Sequence, residues 1–151
     1  MDFMKDVSLP ALEFLDCQTE EPAIMNHLTS LIHRSSCSLK SLVLEFTLSS
    51  SSRDGQAIKL LQLMPMLTHL EWRSVLGTAF FQRFADAAFW NEGSNDTFLP
   101  HLQSLIYKAR RKFPFGLILK AASLSSPKPG QARRPLNNLQ FFFTGDGTSL
   151  R

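Results

Sequence analysis

One pattern recurs five times along this chain: Leu-x-x-Leu-x-Φ, where Φ is apolar. It lies within LPALEFLDC (9–17), CSLKSLVLE (37–45), MPMLTHLEW (64–72), LPHLQSLIY (99–107) and RPLNNLQFF (134–142). The framework triples are Leu12/Leu15/Cys17, Leu39/Leu42/Leu44, Leu67/Leu70/Trp72, Leu102/Leu105/Tyr107 and Leu136/Leu139/Phe141, and their first leucines stand 27, 28, 35 and 34 residues apart. The last two members of each triple alternate with other residues, which is the period of a strand with one buried face. Pro10, Pro65 and Pro100 sit two positions before a first leucine and Pro135 one before Leu136. Proline there ends a helix and favours an extended lead-in to the strand. Five equivalent strands must each bury the same face, and that limits the fold more than any other feature.

The stretches between copies carry a second period. Apolar residues fall at i, i+1, i+4 and i+7 in Ile24/Met25/Leu28/Leu31, Ala57/Ile58/Leu61/Met64, Phe80/Phe81/Phe84/Ala87 and Leu117/Ile118/Ala121/Leu124. This is one face of an amphipathic helix. Glu20, Glu21 and Pro22 precede the first helix, Asp54 the second, Thr78 is placed to cap the third, and Pro114 fits the first turn of the fourth. Strands alternating with helices at this spacing require crossovers and a parallel sheet. The expected fold class is α/β: an irregular leucine-rich-repeat solenoid of about five strand–helix units with a curved parallel sheet, as a single domain over residues 1–151. The asparagine or cysteine that commonly follows such a strand is replaced by Glu20, Thr47, Val75, Arg110 and Thr144, so an ordinary α/β layer protein stays open as an alternative.

Composition narrows the class without naming an activity. Hydrophobic residues make up 44% and charged residues 19%, a foldable globular balance. No apolar run approaches the roughly 18 residues of a membrane span, and MDFMKDVSL lacks the form of a signal peptide. Two cysteines make no disulfide framework, so a cytoplasmic or nuclear location without membrane association is expected. Residues 1–75 carry 6 basic and 9 acidic side chains, and residues 76–151 carry 10 and 4. The basic groups Lys108, Arg110, Arg111 and Lys112 follow the fourth strand, and Arg133 and Arg134 precede the fifth, on what are expected to be opposite solvated rims. The alternative reading is a structural repeat scaffold, with this half as its place for nucleic-acid association, although interleaved exposed aromatics are missing.

No catalytic, cofactor-binding or metal site is expected, and the chain is read as a non-enzyme. His27, His33, His69, His101, Cys17 and Cys37 form no metal-ligand spacing. Cys17 occupies a framework position and is read as packing. Thr144-Gly145-Asp146-Gly147 is a turn and not a phosphate loop. Glu13, Asp16 and Glu71 could meet on neighbouring strands, and NEGSND (91–96) is expected to end the third helix. Residues flanking the framework leucines point to the other face of the sheet, the expected concave surface. Candidate partner-binding residues there are Phe14, Asp16, His69, Glu71, Arg73, Ile106 and Lys108, where apolar and charged groups mix as in protein interfaces.

Read together, LPALEFLDC, LIHRSSCSLKSLVLEF, LLQLMPMLTHLEW and LPHLQSLIYKA followed by FPFGLILKAA resemble the leucine-rich-repeat region of mushroom-type fungal F-box proteins, from about Leu9 to Phe143. The resemblance implies a protein-recognition module. In that family an F-box docks on a Skp-type adaptor of a ubiquitin ligase, and the repeats recruit the protein to be modified. Only eight residues precede Leu9, so the F-box is expected to be absent, adaptor binding is not expected of this chain alone, and a fragment, a truncated gene product or a paralogue that lost the F-box is implied. The run Phe141-Phe142-Phe143, followed only by TGDGTSLR, is expected to leave an uncapped end that favours self-association.

Overall fold

The five pattern copies become five adjacent parallel strands. In the computed structural model, which describes residues 6–21, 23–46, 53–91, 93, 97–109, 129–145 and 148–150, these are β1 (Phe14–Thr19), β2 (Ser41–Phe46), β3 (His69–Arg73), β5 (Ser104–Ala109) and β7 (Asn138–Gly145). Their register aligns the framework. Leu15, Leu42, Leu70, Leu105 and Leu139 are successive Cα partners, and so are Cys17, Leu44, Trp72, Tyr107 and Phe141. A one-residue slip would turn these rows to water, so burial fixes the register.

Three helices lie against that face: α1 (Ile24–Ser35), α2 (Asp54–Gln62) and α3 (Thr78–Asp86), with α2 touching both others. They build one core with the strands, in which Ile24, Leu28, Leu42, Leu44, Leu61, Leu70, Phe80 and Leu105 are all essentially inaccessible. On α2 the buried face takes Leu60, whereas Ile58 is only half-buried. Helix α1 closes at Ser36, whose left-handed φ of 46° turns the chain toward β2 while its N–H donates to the Ile32 carbonyl at 3.1 Å. The expected fourth helix, Leu117 to Leu124, lies outside the described residues, as do Arg110, Arg111 and Lys112.

Several local expectations need correction. Thr78 does not cap α3, and Asp54 does not cap its own helix. The Asp54 carboxylate instead accepts the Gly77 N–H at 2.7 Å and the Phe80 N–H at 3.1 Å, so the first residue of α2 caps the start of α3. Neighbouring helices in this layer start side by side, which brings the carboxylate to the next set of open donors. We expect Asp54→Ala to cost about 1–2 kcal/mol in urea unfolding, with Asp54→Asn recovering much of it. A loss under about 0.3 kcal/mol would mean that water satisfies those amides equally well.

Asn91 does not continue α3 either. The helix stops at Asp86, and β4 (Phe89–Asn91) pairs antiparallel with β6 (Gln131–Arg133) as a separate ribbon. The sheet end at β7 is covered in part: β8 (Thr148–Leu150) folds back and pairs antiparallel with residues 143–145, and no strand among the described residues pairs with the outer side of residues 138–142. Thr144 and Gly145, expected in a turn, instead end β7 and pair with Ser149 and Thr148, and Asp146 and Gly147 lie outside the described residues.

Arg134 is no rim residue. It is 3% exposed and donates from Nε to the Leu99 carbonyl (3.0 Å), from Nη1 to Phe84 (2.9 Å), and from Nη2 to Phe98 (2.7 Å) and Ala87 (3.3 Å). The guanidinium carbon stands 4.0 Å from the centre of the Phe84 ring. Burial, and secondarily Arg83, pushes its pKa down to about 9. Four carbonyl dipoles oppose that loss, and the group is charged at neutral pH. A cation at this place caps the C-terminal end of α3 and clamps the turn at Leu99, a non-glycine residue with φ of 50°.

Candidate functional site

The residues between the framework positions emerge on the sheet face away from the helices, because side chains alternate along each strand. Three columns run across that face. Phe14, Ser41, His69, Ser104 and Asn138 form the first, Asp16, Val43, Glu71, Ile106 and Gln140 the second, and Gln18, Glu45, Arg73, Lys108 and Phe142 the third. All seven candidate residues therefore share one face. They are not, however, one cluster.

Glu71 is the electrostatic centre. Its Oε1 accepts Arg73 Nε at 2.7 Å and lies 3.1 Å from Lys108 Nζ, while Arg73 Nη1 reaches Glu45 Oε2 at 3.0 Å. A charge-balanced chain of two acids and two bases thus spans β2, β3 and β5. Partial burial works to raise the Glu71 pKa, but the hydrogen bonds and charges of Arg73 and Lys108 together outweigh it and hold the carboxyl below its ordinary value. With the folded pKa depressed, the stabilising contribution is full above the ordinary carboxylate range and is lost as pH falls through the folded value. The stability difference between wild type and Glu71→Gln is expected to shrink toward zero below about pH 4, read from unfolding curves at stepped pH. A difference constant from pH 7 to pH 3 would contradict it.

Aromatic groups mark the two ends of the face. Phe14, on β1, is 69% exposed, and Phe142, on β7, is 40% exposed. Lys108 Nζ lies 5.3 Å from the centre of the Phe142 ring, so one ammonium serves both the ring and Glu71. Beside them Asn138 donates to Ser104 Oγ at 2.9 Å, and Gln140 donates to Asn138 Oδ1 at 3.0 Å. Phe14 and Asp16 stand apart at the other edge. The expected meeting of Glu13, Asp16 and Glu71 is not what engages the carboxylates: Glu13 pairs with Lys40 at 2.8 Å, and Glu71 with its two cations.

The sequence places Glu45 and Phe142 on this surface, but neither is among the candidate partner-binding residues. Both occupied the third column, and their pairing with Arg73 and Lys108 follows from equal register. Cys17 packs against the core with its thiol pKa raised, chiefly by burial and also by Asp16. Among the described residues no group of three or more His, Cys, Asp or Glu side chains could hold a metal ion, and no helix is long and apolar enough to cross a membrane. The basic half is not one open patch in the described residues: Arg134 is buried, Arg133 lies over the Phe89 ring at 5.9 Å, and Lys108 is paired.

Comparison with protein-family models, with curated proteins and with solved structures finds no match.

Proposed function

We propose that the chain is a non-enzymatic protein-recognition module built as an irregular leucine-rich-repeat solenoid of about five units. It works in the cytoplasm or nucleus and uses the sheet face away from the helices. The observation that supports this most is the common register, which gathers Phe14, Asp16, His69, Glu71, Arg73, Ile106 and Lys108 on one rigid surface. Its centre is a charge-paired group flanked by exposed aromatics, a mixture suited to a polypeptide partner. The resemblance to F-box repeats favours a role in selecting proteins for ubiquitination. Burial of Arg134 and the pairing of Lys108 argue for a protein partner over nucleic acid.

The test compares proteins retained from cell extract by the wild-type chain and by a His69→Ala/Arg73→Ala variant, after nuclease treatment. Retention of a specific partner should fall about tenfold or more in the variant, with its unfolding midpoint little changed. A helix-face control, Lys59→Ala, should retain the partner. Equal retention by the two sheet-face forms would reject this surface, and loss of retention by nuclease would favour nucleic acid.

A further inference from the structure

A repeated backbone contact joins each main strand to the one before it. The N–H groups of Lys40 and Ser41 share the Glu13 carbonyl (2.8 and 3.0 Å), and those of Thr68 and His69 share the Lys40 carbonyl (2.8 and 3.0 Å). Gln103 and Ser104 share the Thr68 carbonyl (2.8 and 3.0 Å), and Asn137 and Asn138 share that of Gln103 (2.9 and 3.0 Å). The next members of this series are the N–H groups of Glu13 and Phe14, which have no such carbonyl among the described residues. Backbone groups in a parallel strand alternate between its two neighbours. The N–H and C=O of Phe14, Asp16 and Gln18 accordingly point to the outer edge of β1.

Side chains tell the same story independently. Leu39, Leu42, Leu44, Leu67, Leu70, Leu102 and Leu105 are at most 1% exposed, because a strand lies on each side. On β1 the equivalent Leu12, Leu15 and Cys17 are only partly buried. At the far end Leu136, Leu139 and Phe141 are also only partly buried, but there antiparallel β8 pairs with residues 143–145 and so occupies part of the β7 edge, whereas no strand among the described residues pairs with the outer edge of β1. Charge adds a preference: Glu13 has Lys40 beside it, whereas Asp16 faces Val43 on β2 and has no ion pair among the described residues.

We propose that the outer edge of β1 binds an extended segment of another polypeptide, added parallel and in register as one more strand. Its occupant carries leucines or similar apolar residues at the first, fourth and sixth positions, to finish the rows begun by Leu12, Leu15 and Cys17. It has a basic residue at the fifth position, directly opposite Asp16. This inference stands on the β1 edge alone and is independent of what the sheet face binds.

The probe is a fluorescent peptide of residues 64–74 carrying Glu71→Lys, compared with the unaltered peptide, which has the acid at the fifth position. Anisotropy titration against the whole chain should give saturable binding, with the lysine form about threefold tighter. Asp16→Lys in the protein should reverse that order. Gln18→Pro, which removes an outward N–H and spares the bonds to β2, should weaken binding about tenfold or more. If that variant unfolds, hydrogen exchange on the wild type replaces it: bound peptide must protect the Phe14, Asp16 and Gln18 amides. Four results overturn the proposal: no saturation up to about 1 mM peptide, an unchanged preference in Asp16→Lys, wild-type affinity in folded Gln18→Pro, or a dimer by sedimentation that Gln18→Pro dissolves. The last would make a second copy of the chain the occupant.

Discussion

Arg134→Met is expected to lower the free energy of unfolding by about 3–5 kcal/mol. Methionine fills much of the same space, so the effect is not one of volume. It removes every donor to the carbonyls of Phe84, Ala87, Phe98 and Leu99 and leaves four acceptors in a dry site. A buried ionic group can be exchanged harmlessly only when both sides change together, and here the acceptors are backbone. Arg134→Lys should recover part of the loss: it restores the charge, but one ammonium cannot reproduce a planar fork aimed in four directions. Urea unfolding followed by circular dichroism measures all three forms. Hydrogen exchange should also show the β4–β6 ribbon opening first, since Arg134 follows β6 directly. A methionine variant within about 1 kcal/mol of wild type would refute the cage as a stabilising element.

Phe80→Ala should cost a similar amount, about 3–5 kcal/mol, for a different reason. Phe80 is fully buried, with ring centroids of Phe81, Phe84 and Phe98 at 5.3, 6.1 and 6.0 Å. Truncation leaves a void where α3 meets the turn before β5 and removes three ring contacts at once. Phe14→Ala, by contrast, should stay within about 0.5 kcal/mol of wild type, because that ring is mostly in solvent. The two large effects are coupled, since Phe80 stacks on Phe84 and Phe84 carries the Arg134 guanidinium. The double variant should depart from additivity by roughly 0.5–3 kcal/mol, and strict additivity would separate the aromatic cluster from the cage.

The strands and the first three helix faces were legible because they are periodic. Leucine spacing set the pairing of β1, β2, β3, β5 and β7, and the columns of the sheet face came with it. Features that depend on distant partners were not legible. Nothing in Arg133-Arg134 tells which arginine is inside: that depends on carbonyls 35 to 50 residues earlier in the chain. Asp54 has the local signature of a cap, yet its partners belong to the next helix. The β4–β6 ribbon did leave a trace. The two intervals of 35 and 34 residues exceed the first two, of 27 and 28, by about a quarter of a repeat, and each holds one ribbon strand. Surplus length between regular copies was the usable signal. Pairing of Lys108 with Phe142 and of Arg73 with Glu45 required the register first and the side-chain lengths second.

The arginine cage also imposes an order on biosynthesis. A nascent chain that has emerged as far as Leu99 already contains β1 to β4 and all three described helices, but the end of α3 and the adjoining turn still await donors. Those arrive only when Arg134 does, 35 residues after Leu99 and 50 after Phe84. At ribosomal speeds of about 5–20 residues per second, the 35 residues after Leu99 correspond to a delay of roughly 2–7 s. During that delay the early strands can dock through neighbouring contacts while the α3 terminus stays hydrated. Completion of the core is thereby tied to the arrival of one late side chain.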